Sequence, residues 1–393
     1  MRERFDPVAA ETLAAGAPRS VIILELSAPA LAAAVAAAVR AAGAVAAATG
    51  ARVGVRAEAA QLAQAAAAEP GLRAEMNALA DARRRDGELA PRWRVRGRAV
   101  DLSGAAQVMA IVNVSPDSFH QRVDGVPGAV RAARAFAAAG AALVDIGGRS
   151  YAHWSRRIDA AEEGARVVAA VAAVAAAGID VALSVDTTTA SVAEAALAAG
   201  AHAVNDCSGL ADTALAAAVA KYDAGLVVMH LKGELNVRAP DSYLYGDTMS
   251  EIIDALYERT ERARSAGVAR DAIAVDPGLE FGKEPHTDLE ILERYGELRV
   301  LGYPIVLASS RKSFMERVVG SRARELLAPS LATAAIGIAA GARIVRAHDV
   351  EETVYFARML AAASGPAGES RAESPPDSFP PGGNSAARGA VST

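Results

Sequence analysis

The stretch VMAIVNVSPDSF, Val108 to Phe119, reads as a buried strand that ends on a polar residue and then turns. Val108 to Val112 is an apolar run of strand length, Asn113 closes it, and Ser115-Pro116-Asp117-Ser118 supplies turn chemistry. A strand of this kind delivers polar side chains to one rim. The same pattern recurs in LVDIGG from Leu143, ALSVDT from Ala182, HAVND from His202, LVVMH from Leu226, IAVDPG from Ile273, PIVLASSRK from Pro304 and RIVRAHD from Arg343. Counting the first, there are eight apolar strands, each with polar or charged residues at its carboxyl end and each followed by a segment long enough for a helix. Eight such units predict an α/β protein built on a (β/α)8 TIM barrel, with its site at the C-terminal rim of the strands.

Around this barrel, taken as residues 92–363, two other regions stand apart. Residues 1–91 predict a small N-terminal α+β accessory domain: a strand at Val21 to Leu26, a helix capped by Ser27 and running through Ala41, a short strand at Val53 to Val55, and helix from Ala57 to Arg85 broken at Pro70-Gly71. It holds no cluster of catalytic residue types, which points to a structural or assembly role. The alternating RWRVRGR, Arg92 to Arg98, suits a hairpin closing the barrel floor, with Trp93 as a packing anchor. Residues 364–393, rich in Pro, Gly and Ser, cannot bury enough surface to order themselves and predict a disordered C-terminal tail.

Composition narrows the function classes. A 52% hydrophobic content is ample for a core, but only 4% is aromatic, so Ala, Val and Leu must do most of the packing. The formal charge of −5, with no basic face, argues against nucleic acid, so any anion-binding positives must be local. The lone Cys207 excludes an intrachain disulfide and fits a reducing compartment; as a residue it reads as packing rather than a nucleophile. The alanine-rich stretch from Ala28 to Gly50 carries Arg40 and is a poor membrane span, and MRERFD is no secretory signal. The expectation is a soluble, cytoplasmic protein with no membrane partner.

Three rim groups suggest chemistry: Asp186 after the third strand, Asn205 after the fourth and Asp276 after the sixth. Pointing inward, they would form a wall of acceptors suited to a flat heterocycle with N–H and NH₂ groups along one edge, such as a pterin or guanine-like ring. Each alone is equally well a cap for the turn that follows it. Arg346 and His348, two apart in a strand and so on one side of it, suit a phosphate or diphosphate, with Asn113 able to share a magnesium ion. The alternative is a plain rim salt bridge between Arg346 and Asp349. Phe281, in DPGLEFGK, would wall in a planar ring, and Lys312, in SSRKS, would reach a ring carbonyl. No Ser-His-Asp or Cys-His arrangement, HExxH or CxxC is present, which favours a displacement needing no protein nucleophile.

The pieces NVSPDSF, VDIGG, SVDT, NDCSGL, VMHLKG, DPGLEFGK, SRKSF and RAHD, in this order, resemble dihydropteroate synthase from about Arg92 to Met359. The resemblance implies a transferase of folate biosynthesis, of the alkyl- or aryl-transferring kind, joining 6-hydroxymethyl-7,8-dihydropterin diphosphate to the arylamine 4-aminobenzoate and releasing diphosphate. It implies that Asp186, Asn205, Asp276 and Lys312 hold the pterin, that Met229 and Phe281 line its pocket, and that Asn113, Arg346 and His348 hold the diphosphate and its Mg2+. It also implies a homodimer. The C–O bond to diphosphate would break first and the amine would then attack the pterin methylene.

Two loops depart from the family pattern. Phe119 is followed by His120-Gln121-Arg122-Val123 where the family continues SDGG, and Gly147-Gly148 by Arg149-Ser150-Tyr151-Ala152-His153-Trp154 where it reads GGESTRPG. Tyr151 and Ala152 take the family's Thr and Arg places, leaving Arg149, Arg156 or Arg157 as substitutes for the arginine. Three readings follow: an ordinary synthase with drifted loops, the same pterin donor with a different arylamine of the methanopterin type, or a pterin-binding subunit that does not turn over.

Overall fold

The computed structural model describes residues 22–25, 28–49, 52–56, 59–77, 92–115, 123–151, 155–236, 244–320 and 326–364. Residues 365–393 of the expected tail, residues 116–122 of the divergent turn after Asn113, and Ala152, His153 and Trp154 lie outside them.

The amino-terminal unit is a three-stranded antiparallel sheet, ordered β1 (Ile22–Glu25), β3 (Arg52–Arg56), β2 (Val45–Thr49), with helices α1 (Pro29–Ala41) and α2 (Ala59–Ala68). Val35, Val39, Val53, Val55, Leu62 and Met76 form its core. Two details differ from the sequence expectation. Strand β2 forms in the alanine-rich VAAAT because both edges of its partner β3 are paired, so tertiary pairing overrides a weak strand propensity. Helix α1 starts at Pro29, with Ala28 in the cap position, since proline suits a first turn whose amides have no helical partner. Val300 packs against both this core and the barrel's, joining the two.

A hairpin of β4 (Arg92–Val95) and β5 (Arg98–Asp101) leads into eight parallel strands: β6 (Gln107–Asn113), β7 (Leu143–Gly147), β8 (Ala182–Asp186), β9 (Ala203–Asp206), β10 (Gly225–Met229), β11 (Ile273–Asp276), β12 (Val306–Leu307) and β13 (Ile344–Ala347). Their order is β11-β10-β9-β8-β7-β6-β13-β12, and a bridge between Val275 and Ile305 closes the ring. The helices α3 (Gly125–Ala139), α4 (Ala160–Ala176), α5 (Ala190–Ala198), α6 (Leu215–Lys221), α7 (Thr248–Ser265), α8 (Pro285–Glu293), α9 (Ser313–Val319), α10 (Leu327–Ala340) and α11 (Val350–Ser364) lie between and after the strands.

The floor of the barrel sets the direction of every side chain above it. Met109, Leu143, Ala182, Ala203, Val227, Ala274, Val306 and Ile344, one from each strand, pack together with Trp93, Val95, Val100 and Leu102 of the hairpin. Trp93 is fully buried and donates its Nε1–H to the Ala272 carbonyl at 2.9 Å. Because strand side chains alternate, the residues two positions further along face the same interior. These are Ile111, Asp145, Ser184, Asn205, Met229, Asp276 and Arg346, with Asn113, Gly147 and Asp186 above them. The intervening Val144, Ile146, Val185, Val204 and Val228 face the helices.

Candidate active site

The alternation brings five polar side chains together at the carboxyl end of the barrel. Arg346 donates from Nε to Asp145 Oδ2 at 2.7 Å and from Nη2 to Asp186 Oδ2 at 2.8 Å. Asn205 donates Nδ2–H to the same Asp145 oxygen at 2.9 Å. Asp276 is buried on the far side of this group, and its Oδ1 accepts from the Gly278 amide at 2.7 Å. Burial raises the Asp276 carboxyl, against the opposing pull of Lys312, the Gly278 amide, Lys283 and Arg346. Burial also pushes Asp186 up to about 7, offset by Arg346 and reinforced by Asp145.

This geometry differs from the expected division into an acidic wall and a cationic corner. Arg346 does not stand apart facing an anion; it lies within the wall and ties two of its carboxylates together. Nor does it pair with Asp349, which takes a two-point contact from Arg311, Nε to Oδ2 at 2.9 Å and Nη2 to Oδ1 at 2.5 Å. His348 Nδ1 lies 3.1 Å from Ser310 Oγ, across to the loop after β12. Lys312 donates to the Leu279 carbonyl with its ammonium 4.8 Å from the centre of the Phe281 ring, so its side chain is held within the protein. Asn113 is half-buried at the end of β6, where a Cβ on Gly147 would meet its Oδ1 at 3.4 Å and Asp186 Oδ2 at 3.7 Å.

Beside the polar group lies an apolar cluster. Met229, Cys207 and Leu231 are buried together, with Phe281, Tyr151 and Leu235 partly buried against them. Burial raises the Cys207 thiol well above its ordinary range, with Asp186 and Asp206 adding to the shift, so it is packing rather than nucleophile. The Tyr151 ring lies over the Arg149 guanidinium, 4.5 Å from carbon to ring centre.

Two residues that carry no role in the sequence expectations are central here. Asp145 is fully buried and accepts from both Arg346 and Asn205, while its second oxygen, Oδ1, has no partner among the described residues. Its signal was strand alternation: it stands two residues beyond the floor residue Leu143. Lys283 is buried, and its Nζ donates to the carbonyls of Gly278 (2.7 Å), Phe281 (2.9 Å) and His230 (3.3 Å), with His230 Nδ1 at 3.0 Å. It pins the loop carrying Asp276 and Phe281 onto the end of β10. Gly278, at φ +69, makes this approach possible, because a Cβ there would run into the His230 carbonyl.

Asp206, next to Asn205, has a different task. It accepts from the Ser208 hydroxyl (2.6 Å) and from the amides of Ser208 (2.9 Å) and Leu210 (2.5 Å), shaping the loop that presents Cys207. Of neighbouring polar residues in NDCSGL, one therefore faces the interior and one caps the turn.

The family described as pterin binding enzyme matches residues 109–348. The chain is 38% identical over 261 residues to the probable bifunctional folylpolyglutamate synthase/dihydropteroate synthase of Haloferax volcanii, spanning 66% of this chain but only 31% of that longer protein. It is 37% identical over 268 residues to the inactive dihydropteroate synthase 2 of Mycobacterium tuberculosis strain H37Rv, covering 66% of this chain and 83% of that one. The crystal structure of Yersinia pestis dihydropteroate synthase with a sulfonamide drug superposes with a TM-score of 0.66 at 35% identity, over 69% of this chain and 98% of that one. The eight-stranded barrel is thus the fold of a solved enzyme over nearly that enzyme's full length, and the chain belongs to the pterin-binding enzymes, in the dihydropteroate synthase family.

Proposed function

We infer that the protein is a transferase that joins 6-hydroxymethyl-7,8-dihydropterin diphosphate to an arylamine, 4-aminobenzoate in the simplest case, in folate biosynthesis. The observation that carries this reading is the convergence of Asp145, Asp186, Asn205, Asp276 and Arg346 beside the apolar surface of Met229 and Phe281. A flat ring with N–H and NH₂ groups needs acceptors along one edge and apolar surface on its faces, and this set supplies both. The carboxylates would also offset positive charge as the C–O bond to diphosphate breaks and the pterin methylene turns electrophilic. The amine nitrogen then bonds to that carbon and gives up a proton, while diphosphate leaves with the bonding electron pair.

Magnesium, which binds oxygen donors and keeps several waters, would be held chiefly by the diphosphate and by Asn113 Oδ1, which borders the same spot as the Asp186 carboxylate. When bound, such an ion spreads the negative charge of the leaving group.

A second reading, pterin binding without turnover, is favoured by the inward bonds of the site's own groups. Lys312 is held by Leu279, Asp276 by Gly278, and Tyr151 packs against the cluster. Four of the similar mycobacterial proteins are also named inactive dihydropteroate synthase 2. The purified protein incubated with the pterin diphosphate, magnesium and each amine separates the readings. Diphosphate release with 4-aminobenzoate supports synthesis, release with another amine supports a changed acceptor, and tight pterin binding without release supports the second reading.

A further inference from the structure

Glu280 holds a backbone conformation that residues with a side chain seldom adopt, with φ at +71. Such a residue persists only where its surroundings hold it, and two contacts do so. The Glu280 amide donates to Asp288 Oδ1 of α8 at 2.8 Å. Its carboxylate reaches across to the loop after β12, where Oε1 accepts from the Ser313 amide and, at 3.2 Å, from the Phe314 amide.

Nothing local to α9 supplies that acceptor. Lys312 holds the cap position and makes no side-chain capping bond, so the first turn is met by a carboxylate from 33 positions earlier. The two loops joined in this way carry Phe281 and Lys312, whose ammonium lies 4.8 Å from the centre of the Phe281 ring. The Glu280 carboxylate is therefore fixed one residue from Phe281 in one loop and bonded one residue from Lys312 in the other. Among the described residues it has no ion-pair partner, and the group behind its amide is a second carboxylate, Asp288, whose Oδ2 is buried without a partner there. Amides orient a carboxylate but leave it charged.

We propose that Glu280 is a specificity-determining residue for the second substrate: its carboxylate on the rim beside Phe281 and Lys312 favours an uncharged arylamine over one that carries a carboxylate, such as 4-aminobenzoate. The inference rests on the transferase reading above and narrows its acceptor. A negative substituent brought to this rim meets a fixed like charge, and the two amides nearest to it are already bonded. Discrimination then comes from a repulsive element set against the wrong partner.

Two variants remove the charge in different ways. Glu280→Gln keeps the length and still accepts from the amides, whereas Glu280→Gly drops the side chain and suits a positive φ. The full chain is given the pterin diphosphate and magnesium with 4-aminobenzoate or with 4-aminobenzamide, which has the same ring and amine without the charge, and diphosphate release is followed. Binding of each amine is measured alongside by calorimetry, with the pterin alcohol and inorganic diphosphate in place of the reactive donor. The readout is the ratio between the two amines, in kcat/KM and in Kd, because a merely structural loss weakens both alike. The wild type should prefer the benzamide, and both variants should shift the ratio toward 4-aminobenzoate by about tenfold, the scale on which a pocket contact discriminates. A ratio unchanged in both variants, a shift confined to the glycine variant, a wild type that prefers 4-aminobenzoate, or binding of neither amine to the wild type overturns the proposal. The expected shift in Kd without diphosphate release in any variant counts against the transferase reading and leaves the role of Glu280 standing.

Discussion

Arg346 and Asp145 lie 201 positions apart in sequence yet meet at 2.7 Å, because β13 and β7 both flank β6, where Arg346 is registered with Met109 and Asp145 with Ile111, and the arginine's length spans that stagger of two residues. The guanidinium is therefore a brace for the acidic wall before it is a ligand. Arg346→Ala leaves Asp145 and Asp186 facing each other, and removing one partner of a buried charge group costs about 3 kcal/mol or more. Urea unfolding should register that loss. Pterin affinity should fall further than diphosphate affinity, since the ring-holding carboxylates lose their orientation; the opposite order would return Arg346 to the anion.

Asp186 gives the stability a defined dependence on pH. Burial first, then Asp145, lift its carboxyl from the ordinary 3.8 to about 7, against the pull of Arg346. The folded protein thus holds a proton that the unfolded chain has released, so this residue's contribution declines as pH rises from about 4 to 7 and stays low above that. Asn resembles the protonated form. Asp186→Asn should match the wild type near pH 4.5 and gain roughly 1–3 kcal/mol on it by pH 7.5, measured by denaturant unfolding at both values. Parallel curves would show that the carboxyl keeps an ordinary titration.

Lys283 offers a test of the loop that carries Asp276. Burial lowers its ammonium, but three carbonyls and an imidazole surround the nitrogen, and those acceptors are what hold the charge inside. Lys283→Met keeps the volume and strips three carbonyls of their donor. The expected cost is about 3 kcal/mol, a fall of several degrees in Tm, together with weaker pterin binding as Phe281 and Asp276 shift. Unchanged melting would mean that the loop stands without the cage.

How much of this was readable in the chain follows from the kind of interaction involved. Strand alternation is local, so eight strands, the rim, and the inward direction of Asp186, Asn205, Met229, Asp276 and Arg346 follow from spacing. Asp145 obeys the same rule, but VDIGG places it between Val144 and Ile146, and nothing local says that its partner is an arginine on the last strand. An arginine two residues from a histidine suits an anion, and spacing alone cannot show the carboxylates of β7 and β8 that also hold Arg346, a pairing that only the closed ring creates. Lys312 and Lys283 show the same limit. Both sit in motifs rich in turn residues, and which carbonyls a lysine finds depends on how two loops fold over each other.

Tyr151 is where the chain's departure from its family becomes measurable. Its ring packs with Leu235 and Phe281 on the Met229–Cys207–Leu231 surface and lies over Arg149, so it links this apolar cluster to that guanidinium. The phenol adds bulk to this surface and covers one face of the Arg149 guanidinium. Tyr151→Thr should free both and raise affinity for the pterin alcohol. Combined with Ala152→Arg, it should raise diphosphate release with 4-aminobenzoate by about tenfold, the scale expected when a few contacts change in a substrate pocket. A larger arylamine should respond in the opposite sense if Tyr151 contributes to holding it. Should neither amine nor the pterin distinguish the variants from the wild type, the loop after β7 has no part in choosing the acceptor, and the selection must come from the loops after β6, β10 or β11.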